Sequence, residues 1–245
     1  MEMQKQLAPQ MYARIAGICY LLIILLGIFG QLVVRGSLLV PGDAAATIAN
    51  LTASPLLWRL GIIGDIAMHL LDIPVMIILY LLLSTVNKSV ALMGLAFNLI
   101  QTAVLATNKL ALMVPLIMLG STEYQAATET HALHEQIMLL IEVHNYGFGL
   151  GLIFFGCTCL AYGYLIIKSN YFPTLIGILM AAAGLCYVIN SVVLIVAPAV
   201  SSFVFPILGI CLLAELSFSL WLLIKGVNLS AWENRLKKSA GFKSL

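Results

Sequence analysis

The chain alternates long apolar stretches with short polar connections, and this pattern predicts its elements. A helix that crosses the hydrocarbon core of a bilayer needs about 20 apolar residues. By that rule we predict six membrane-spanning helices, at about 12–34, 57–85, 90–119, 135–167, 173–197 and 203–225. The first stretch is too long for a cleavable signal peptide and lacks a small-residue cleavage site directly after it. The predicted fold is an all-α, polytopic membrane helix bundle, with residues 1–245 as a single transmembrane domain.

Composition supports this architecture and excludes other classes. Of the 245 residues, 62% are hydrophobic and only 9% are charged. Soluble domains carry about 25% charged residues, so most of the apolar surface has to face the lipid bilayer. The formal net charge of +2 gives no reason to expect a nucleic-acid partner. The cysteines lie in apolar stretches without a CxxC pair, which predicts packing residues rather than disulfides or a zinc site: Cys19, Cys157, Cys159, Cys186 and Cys211.

Basic residues predict the orientation, because Lys and Arg are enriched in cytoplasmic connections. One side of the predicted bundle carries Lys5, Arg14, Lys88, Lys168, Lys225, Arg235, Lys237, Lys238 and Lys243. The other side carries mainly acids, with one arginine: Asp43, Glu123, Glu129, Glu135 and Arg35. We therefore expect both termini to be cytoplasmic.

Two segments outside the spans carry structural signals. On the predicted outer side, Pro41-Gly42 marks a turn, and Asp43 is a good N-cap for a short surface helix over residues 44–51. On the predicted cytoplasmic side, residues 226–245 form a short tail. Trp232 in this tail is expected at the membrane interface, with the lysines near anionic lipid.

Ionisable side chains inside the spans are the most informative feature for function. A charge at the centre of a bilayer costs about 2.5–3.5 kcal/mol on insertion scales, so such groups face a bundle interior or a wet cavity. In the second span, Asp65, His69 and Asp72 are spaced four and three residues apart, which places them on one helix face. Pro74 removes a backbone donor and frees the carbonyl of Leu70. This combination favours a binding cavity over a lipid-facing surface.

Polar residues of other spans fall at a similar depth when counted at about 1.5 Å per residue. The candidates for substrate binding or proton exchange are Arg59, Asp65, His69, Asp72, Asn108, Lys109, Glu142, His144, Tyr146 and Glu215. Glu142 and His144 are two residues apart, so only one of them needs to face the site. We expect one cavity open to the outer face. In it, Lys109 or Arg59 pairs with Asp65, and Asp72 exchanges protons.

Three of these assignments have a plainer alternative. Arg59, next to Trp58, can extend to the lipid headgroups instead. Tyr146 can be a packing residue. The acids can form an interhelical lock with Lys109 or Arg59 that has no role in binding.

Several short motifs together resemble a known family. They are Arg14-Ile15-Ala16-Gly17, Val34-Arg35-Gly36-Ser37-Leu38, Pro41-Gly42-Asp43-Ala44-Ala45-Ala46, Arg59-Leu60-Gly61 with Asp65, His144-Asn145-Tyr146-Gly147 and Phe154-Phe155-Gly156. Over about 12–228 the chain resembles a bacterial family of small multi-pass membrane proteins that is classed only as a domain of unknown function. The resemblance implies a six-helix protein of the bacterial cytoplasmic (inner) membrane and implies no activity.

Three functions are compatible with these residues. The first is a carrier or binder of a small polar or charged solute, coupled to protons. A carrier of this size would need a homodimer for alternating access. The second is an intramembrane metal-dependent enzyme, because His69, His144 and the nearby acids are suitable ligand types, although HExxH is missing. The third is haem binding by His69 and His144. We place the carrier first.

Overall fold

The computed structural model describes residues 2–241, with side chains described for residues 9–237. Within this range, six helices are long and apolar enough to cross a membrane: Pro9–Leu38, Pro55–Leu83, Lys88–Gly120, Thr130–Ser169, Thr174–Val196 and Pro198–Ile224. The observed helix ends differ from the predicted ones by at most five residues. The fourth span begins at 130 instead of 135, and the sixth begins at 198 instead of 203. No strand occurs between residues 2 and 241. The all-α, multi-pass fold class is therefore confirmed.

The orientation of the bundle across the membrane stays a prediction. Among the basic residues on which it rests, Lys243 lies outside the described residues, and so do the side chains of Lys5 and Lys238. We refer below to the end of the bundle that carries residues 35–54 as the loop end.

The first span contains a π-helical segment near the loop end. The α-helix Glu2–Ile28 continues as a π-helix over Phe29–Arg35 and returns to α-helix at Gly36–Leu38. The wider turn is visible in the bond from the Gly36 N–H to the Gln31 carbonyl, five residues back. A π-helical turn redirects the side chains that follow it and is frequent at functional sites. Here it leaves Arg35 buried.

The third span is interrupted at Lys109. It consists of the helices Lys88–Asn108 and Leu110–Gly120. Asn87 caps its start, where the side chain accepts a hydrogen bond from the Val90 N–H. Just past the interruption, the Trp58 indole N–H of the second span donates to the Leu112 carbonyl at 2.9 Å. The second and third spans are thereby tied together next to Lys109.

The predicted helix after Pro41-Gly42 is confirmed. It spans Ala44–Ala53, and Asp43 caps it by accepting a hydrogen bond from the Ala46 N–H at 2.8 Å. Its buried residues Ile48 and Leu51 belong to the same apolar cluster as Trp58. The helix therefore packs onto the loop end of the bundle. The predicted tail is also partly helical, over Leu229–Gly241.

Two apolar clusters enclose a polar middle. On the second span, Trp58 and Ile62 belong to the cluster at the loop end, whereas the second cluster begins at Val75. Asp65, His69 and Asp72 lie between the two clusters along this helix. The polar residues therefore occupy the central part of the bundle, away from both ends.

Glycines bring the fourth and fifth spans together beside this polar middle. A Cβ added to Gly156 would lie 2.7 Å from the Gly184 carbonyl oxygen. A Cβ added to Gly184 would likewise lie 2.7 Å from the Gly156 carbonyl oxygen. Only glycine permits the two helices to approach this closely. Small residues allow similar close contacts between many membrane helices.

Candidate functional site

The first polar feature is an ion-pair cluster around Asp65, whose side chain is 1% exposed. Arg35 Nη1 lies 2.8 Å from Asp65 Oδ2, and Arg35 Nη2 lies 3.4 Å from Oδ1. Lys109 Nζ lies 3.0 Å from the same Oδ2. The carboxylate thus joins a cation of the first span to a cation of the third. Such pairing lowers the cost of all three charges in a low-dielectric interior.

The π-helical segment of the first span positions Arg35 for this contact. Gln31 Oε1 accepts a hydrogen bond from Arg35 Nε at 2.9 Å, which fixes the guanidinium plane. Gly30 makes room for the carboxylate, since an added Cβ would lie 2.5 Å from Asp65 Oδ1. The same Cβ would lie 3.1 Å from Arg35 Nη2. The local backbone and its glycine therefore permit the ion pair.

His144 extends the cluster to the fourth span. Its Nε2 lies 3.2 Å from Lys109 Nζ, and its backbone carbonyl accepts a hydrogen bond from Asn108 Nδ2 at 2.8 Å. Lys109 Nζ also lies 5.9 Å from the ring centroid of Phe148. Arg35, Asp65, Lys109 and His144 therefore connect the first four spans. We call these four residues the ion-pair cluster.

The second polar feature is a cavity of about 120 Å³ on the side of the ion-pair cluster away from the loop end. Its wall is mostly apolar, with seven residues that carry polar side-chain atoms: Tyr20, His69, Asp72, Asn98, Gln101, Tyr162 and Glu215. On the second span, Asp72 follows Asp65 by seven residues, which is about 10.5 Å along the helix. The cavity and the ion-pair cluster are therefore two successive layers of the bundle.

The acids of the cavity differ from Asp65 in their partners. Asp72 accepts hydrogen bonds from Asn98 Nδ2, at 3.2 Å, and from the Thr102 hydroxyl. Glu215 accepts one from the Tyr187 hydroxyl. Over the described part of the chain, neither acid forms a salt bridge. Both therefore depend on neutral donors.

Three buried polar atoms on cavity-lining residues lack a hydrogen-bond partner within residues 9–237. They are His69 Nε2, Asn98 Oδ1 and the Tyr162 hydroxyl. The three residues are 4%, 2% and 3% exposed. Three further unpartnered atoms of the described residues lie elsewhere, on His144, Ser191 and Trp232. Because buried polar groups in proteins nearly always have a partner, the three atoms at the cavity give it unused hydrogen-bonding capacity.

The structure distributes the predicted site residues over two layers instead of one cavity. Asp65, Lys109 and His144 lie in the ion-pair cluster, whereas His69, Asp72 and Glu215 line the cavity. Asn108 contacts the cluster only through the His144 carbonyl. Tyr146 is half-buried and lines neither layer.

Two predicted site residues lie on the outside of the bundle. Arg59 is exposed near the start of its helix. Of the two cations predicted as partners of Asp65, Lys109 forms the pair and Arg59 does not, and Arg35 is an additional partner. Glu142 is exposed as well. The fourth span has 40 residues, and at 1.5 Å per residue it is about 60 Å long, twice the hydrocarbon thickness. Glu142 precedes His144 by two residues, about 3 Å along the helix, so it lies at the depth of the ion-pair cluster but on the outside of the bundle.

Sequence reasoning missed Arg35 in the ion-pair cluster and four polar residues of the cavity wall, Tyr20, Asn98, Gln101 and Tyr162. It also missed Thr102 and Tyr187, which donate to the two acids of the cavity. The sequence pattern places Arg35 in a connection outside the spans, because no pattern indicates the π-helical segment that buries it. Asn98 and Thr102 were detectable, since two polar residues four apart in an apolar stretch share a helix face. No sequence pattern indicates that the Tyr187 hydroxyl donates to Glu215.

The histidines do not form a metal site among the described residues. In residues 9–237, no group of three or more His, Cys, Asp or Glu side chains has the geometry to hold a metal ion. The Nε2 of His144 faces Lys109, whereas His69 lines the cavity. The two histidines therefore face different layers.

Six apolar helices around two buried polar layers define a multi-pass membrane protein of helical type. The chain belongs to the family described as "Domain of unknown function (DUF4386)", whose model matches residues 15–226. It is similar to an uncharacterised protein of Archaeoglobus fulgidus, with 28% identity over 169 residues that cover 69% of this chain and 85% of that protein. No solved structure is significantly similar to the chain. The family resemblance predicted from the motifs is confirmed, and the similarity extends to an archaeal protein.

Proposed function

We propose that the protein binds a small solute in the cavity at Asp72 and Glu215 and carries it across the cytoplasmic membrane in exchange for protons. The observation that carries this proposal is the composition of the cavity wall. Two acids without a salt bridge in the described structure and three unpartnered polar atoms line one space in the middle of the bundle. Ionisable groups at this depth typically mark substrate pathways and proton relays.

The contrast between the two layers supports a division of roles. Asp65 is held by two cations, so it acts as an interhelical lock. Asp72 and Glu215 have only neutral partners among the described residues. A carboxylate in such surroundings is more stable with a proton or with a bound cation than alone. These two acids are therefore the ones that exchange protons for a solute.

The placement of the layers also supports transport. The ion-pair cluster lies between the cavity and the loop end, on the same helices that line the cavity. It would close the route from the loop end while the solute is bound. Six helices are few for alternating access, so we propose that the working unit is a homodimer. The distribution of basic residues supports an orientation with both termini of each copy cytoplasmic.

The test is a solute panel on the purified protein in lipid nanodiscs. The panel contains small amines, carboxylates, alcohols and sugars, and the measured quantity is the melting temperature. We expect at least one solute to raise the melting temperature of the wild type and to leave that of the double variant Asp72→Asn/Glu215→Gln unchanged. Glu142→Gln removes an exposed acid of a span and should respond like the wild type. A panel without effect on the wild type would contradict the proposal.

A further inference from the structure

The part of the cavity wall next to Asp72 offers hydrogen-bond acceptors. Asp72 and Glu215 contribute carboxylate oxygens, and Asn98 contributes an unpartnered Oδ1. The Asn98 amide nitrogen is already used, because it donates to Asp72 Oδ1. This orientation is enforced, since the amide oxygen would be repelled by the carboxylate. A solute that binds these acceptors has to bring donors, whereas the unpartnered Tyr162 hydroxyl can donate or accept.

Two of these acceptors, Asp72 and Asn98 Oδ1, are close neighbours. Asn98 Oδ1 is bonded to the same carbon as the Nδ2 that contacts Asp72. One donor group with several N–H bonds can therefore reach both Asp72 and Asn98 Oδ1. An alcohol has a single O–H and can satisfy only one of them.

Charge excludes an anionic solute from this cavity. Two acids line it, and no Lys or Arg of the described chain does. The nearest basic groups, Arg35 and Lys109, are directed at Asp65 in the neighbouring layer. A cation would instead be attracted by the acids and by the ring faces of aromatic residues. The wall includes the aromatic residues Tyr20, Phe155 and Tyr162, and also Phe148, whose ring already lies 5.9 Å from Lys109 Nζ.

The size and lining of the cavity restrict the rest of the solute. A cavity of about 150 Å³ lined by apolar side chains holds one benzene molecule. The cavity here, about 120 Å³, is slightly smaller. It is also lined by apolar side chains such as Met68, Val75, Leu79 and Met180. The solute therefore has a short apolar body next to its donor group.

We infer that the solute is a small primary ammonium ion whose N–H groups donate to Asp72 and to Asn98 Oδ1 and whose hydrocarbon body packs in the apolar part of the cavity. The inference rests on the proposed function and adds the chemical class of its solute. It also explains why Asp72 is held by neutral donors, since the solute supplies the cation.

The test compares four probes of similar size by titration calorimetry on the nanodisc-embedded protein at neutral pH. The probes are n-butylamine, n-butanol, butyrate and tetramethylammonium, and the last carries a charge but no N–H donor. We expect n-butylamine to bind about tenfold or more tightly than each of the others, as the loss of a charge-assisted hydrogen bond predicts. The comparison uses the wild-type protein, so it does not depend on the folding of a variant.

A variant pair then assigns the contact. Asp72→Asn should weaken n-butylamine binding about tenfold or more, because it removes the charge that the ammonium contacts. Glu142→Gln should leave the binding unchanged. Equal or tighter binding of butanol, butyrate or tetramethylammonium would overturn the ammonium assignment and leave the proposed function standing. If solutes of every class in the larger panel fail to bind, the proposed function itself is wrong.

Discussion

Arg35 binds Asp65 through both terminal guanidinium nitrogens, with Nη1 at 2.8 Å from Oδ2 and Nη2 at 3.4 Å from Oδ1. The pair joins the π-helical segment of the first span to the second span. Lys109 adds a second cation to the same carboxylate. A single acid therefore holds two positive charges inside the bundle, which makes Asp65 the residue on which this layer depends.

Replacing Asp65 by Asn should strongly destabilise the protein. The amide would leave Arg35 and Lys109 buried without a counter-charge, and breaking a buried ion pair from one side costs about 3–5 kcal/mol. Thermal unfolding of the purified protein in nanodiscs measures the effect. Glu142→Gln removes an exposed acid and should change the melting temperature little. A wild-type melting temperature for Asp65→Asn would show that the cluster is not a structural lock.

The contact between Gly30 and the ion pair gives a second test of the lock. In Gly30→Ala the added Cβ would lie 2.5 Å from Asp65 Oδ1, so the carboxylate or the helix has to move. We expect a loss of about 1–3 kcal/mol in unfolding free energy, the usual cost of overpacking. Gly27→Ala is the control in the same span, because its Cβ would meet only the Met68 sulfur at 3.5 Å. Equal stability of the two variants would contradict the close approach.

The orientation in the membrane can be tested independently of the site. Fusions of a topology reporter at Thr122 and at the C-terminal Leu245 should report opposite sides, because an odd number of spans separates them. The lysine-rich C-terminal side should be cytoplasmic. Reports from the same side would refute the six-span topology, and a reversed assignment would refute the predicted orientation.

The sequence predicted the spans well because the length of an apolar stretch is a direct consequence of bilayer thickness. It also predicted that Asp65, His69 and Asp72 face inward, since their spacing follows the helical period. Counting along a helix gives depth, however, and not rotation about the axis. For this reason depth alone groups Glu142 and Arg59 with the site, although both side chains are exposed.

The number of residues between Asp65 and Asp72 already implies the division into two layers. Asp65 and Asp72 are seven residues apart, about 10.5 Å along the helix, which is too far for one small cavity to include both. The role of Arg35 was beyond prediction, because it depends on a local change from α-helix to π-helix. The unpartnered atoms of His69, Asn98 and Tyr162 also required side-chain positions to be found.

The central claim is that Asp72 binds the solute whereas Asp65 holds the bundle together. The most direct measurement is the melting temperature of Asp72→Asn in nanodiscs, with and without each solute that stabilises the wild type. Asn keeps the shape of the side chain, so the variant should melt close to the wild type without solute, and no solute should raise its melting temperature. A variant that responds to the solutes as the wild type does, or that unfolds while Asp65→Asn stays intact, would contradict the account.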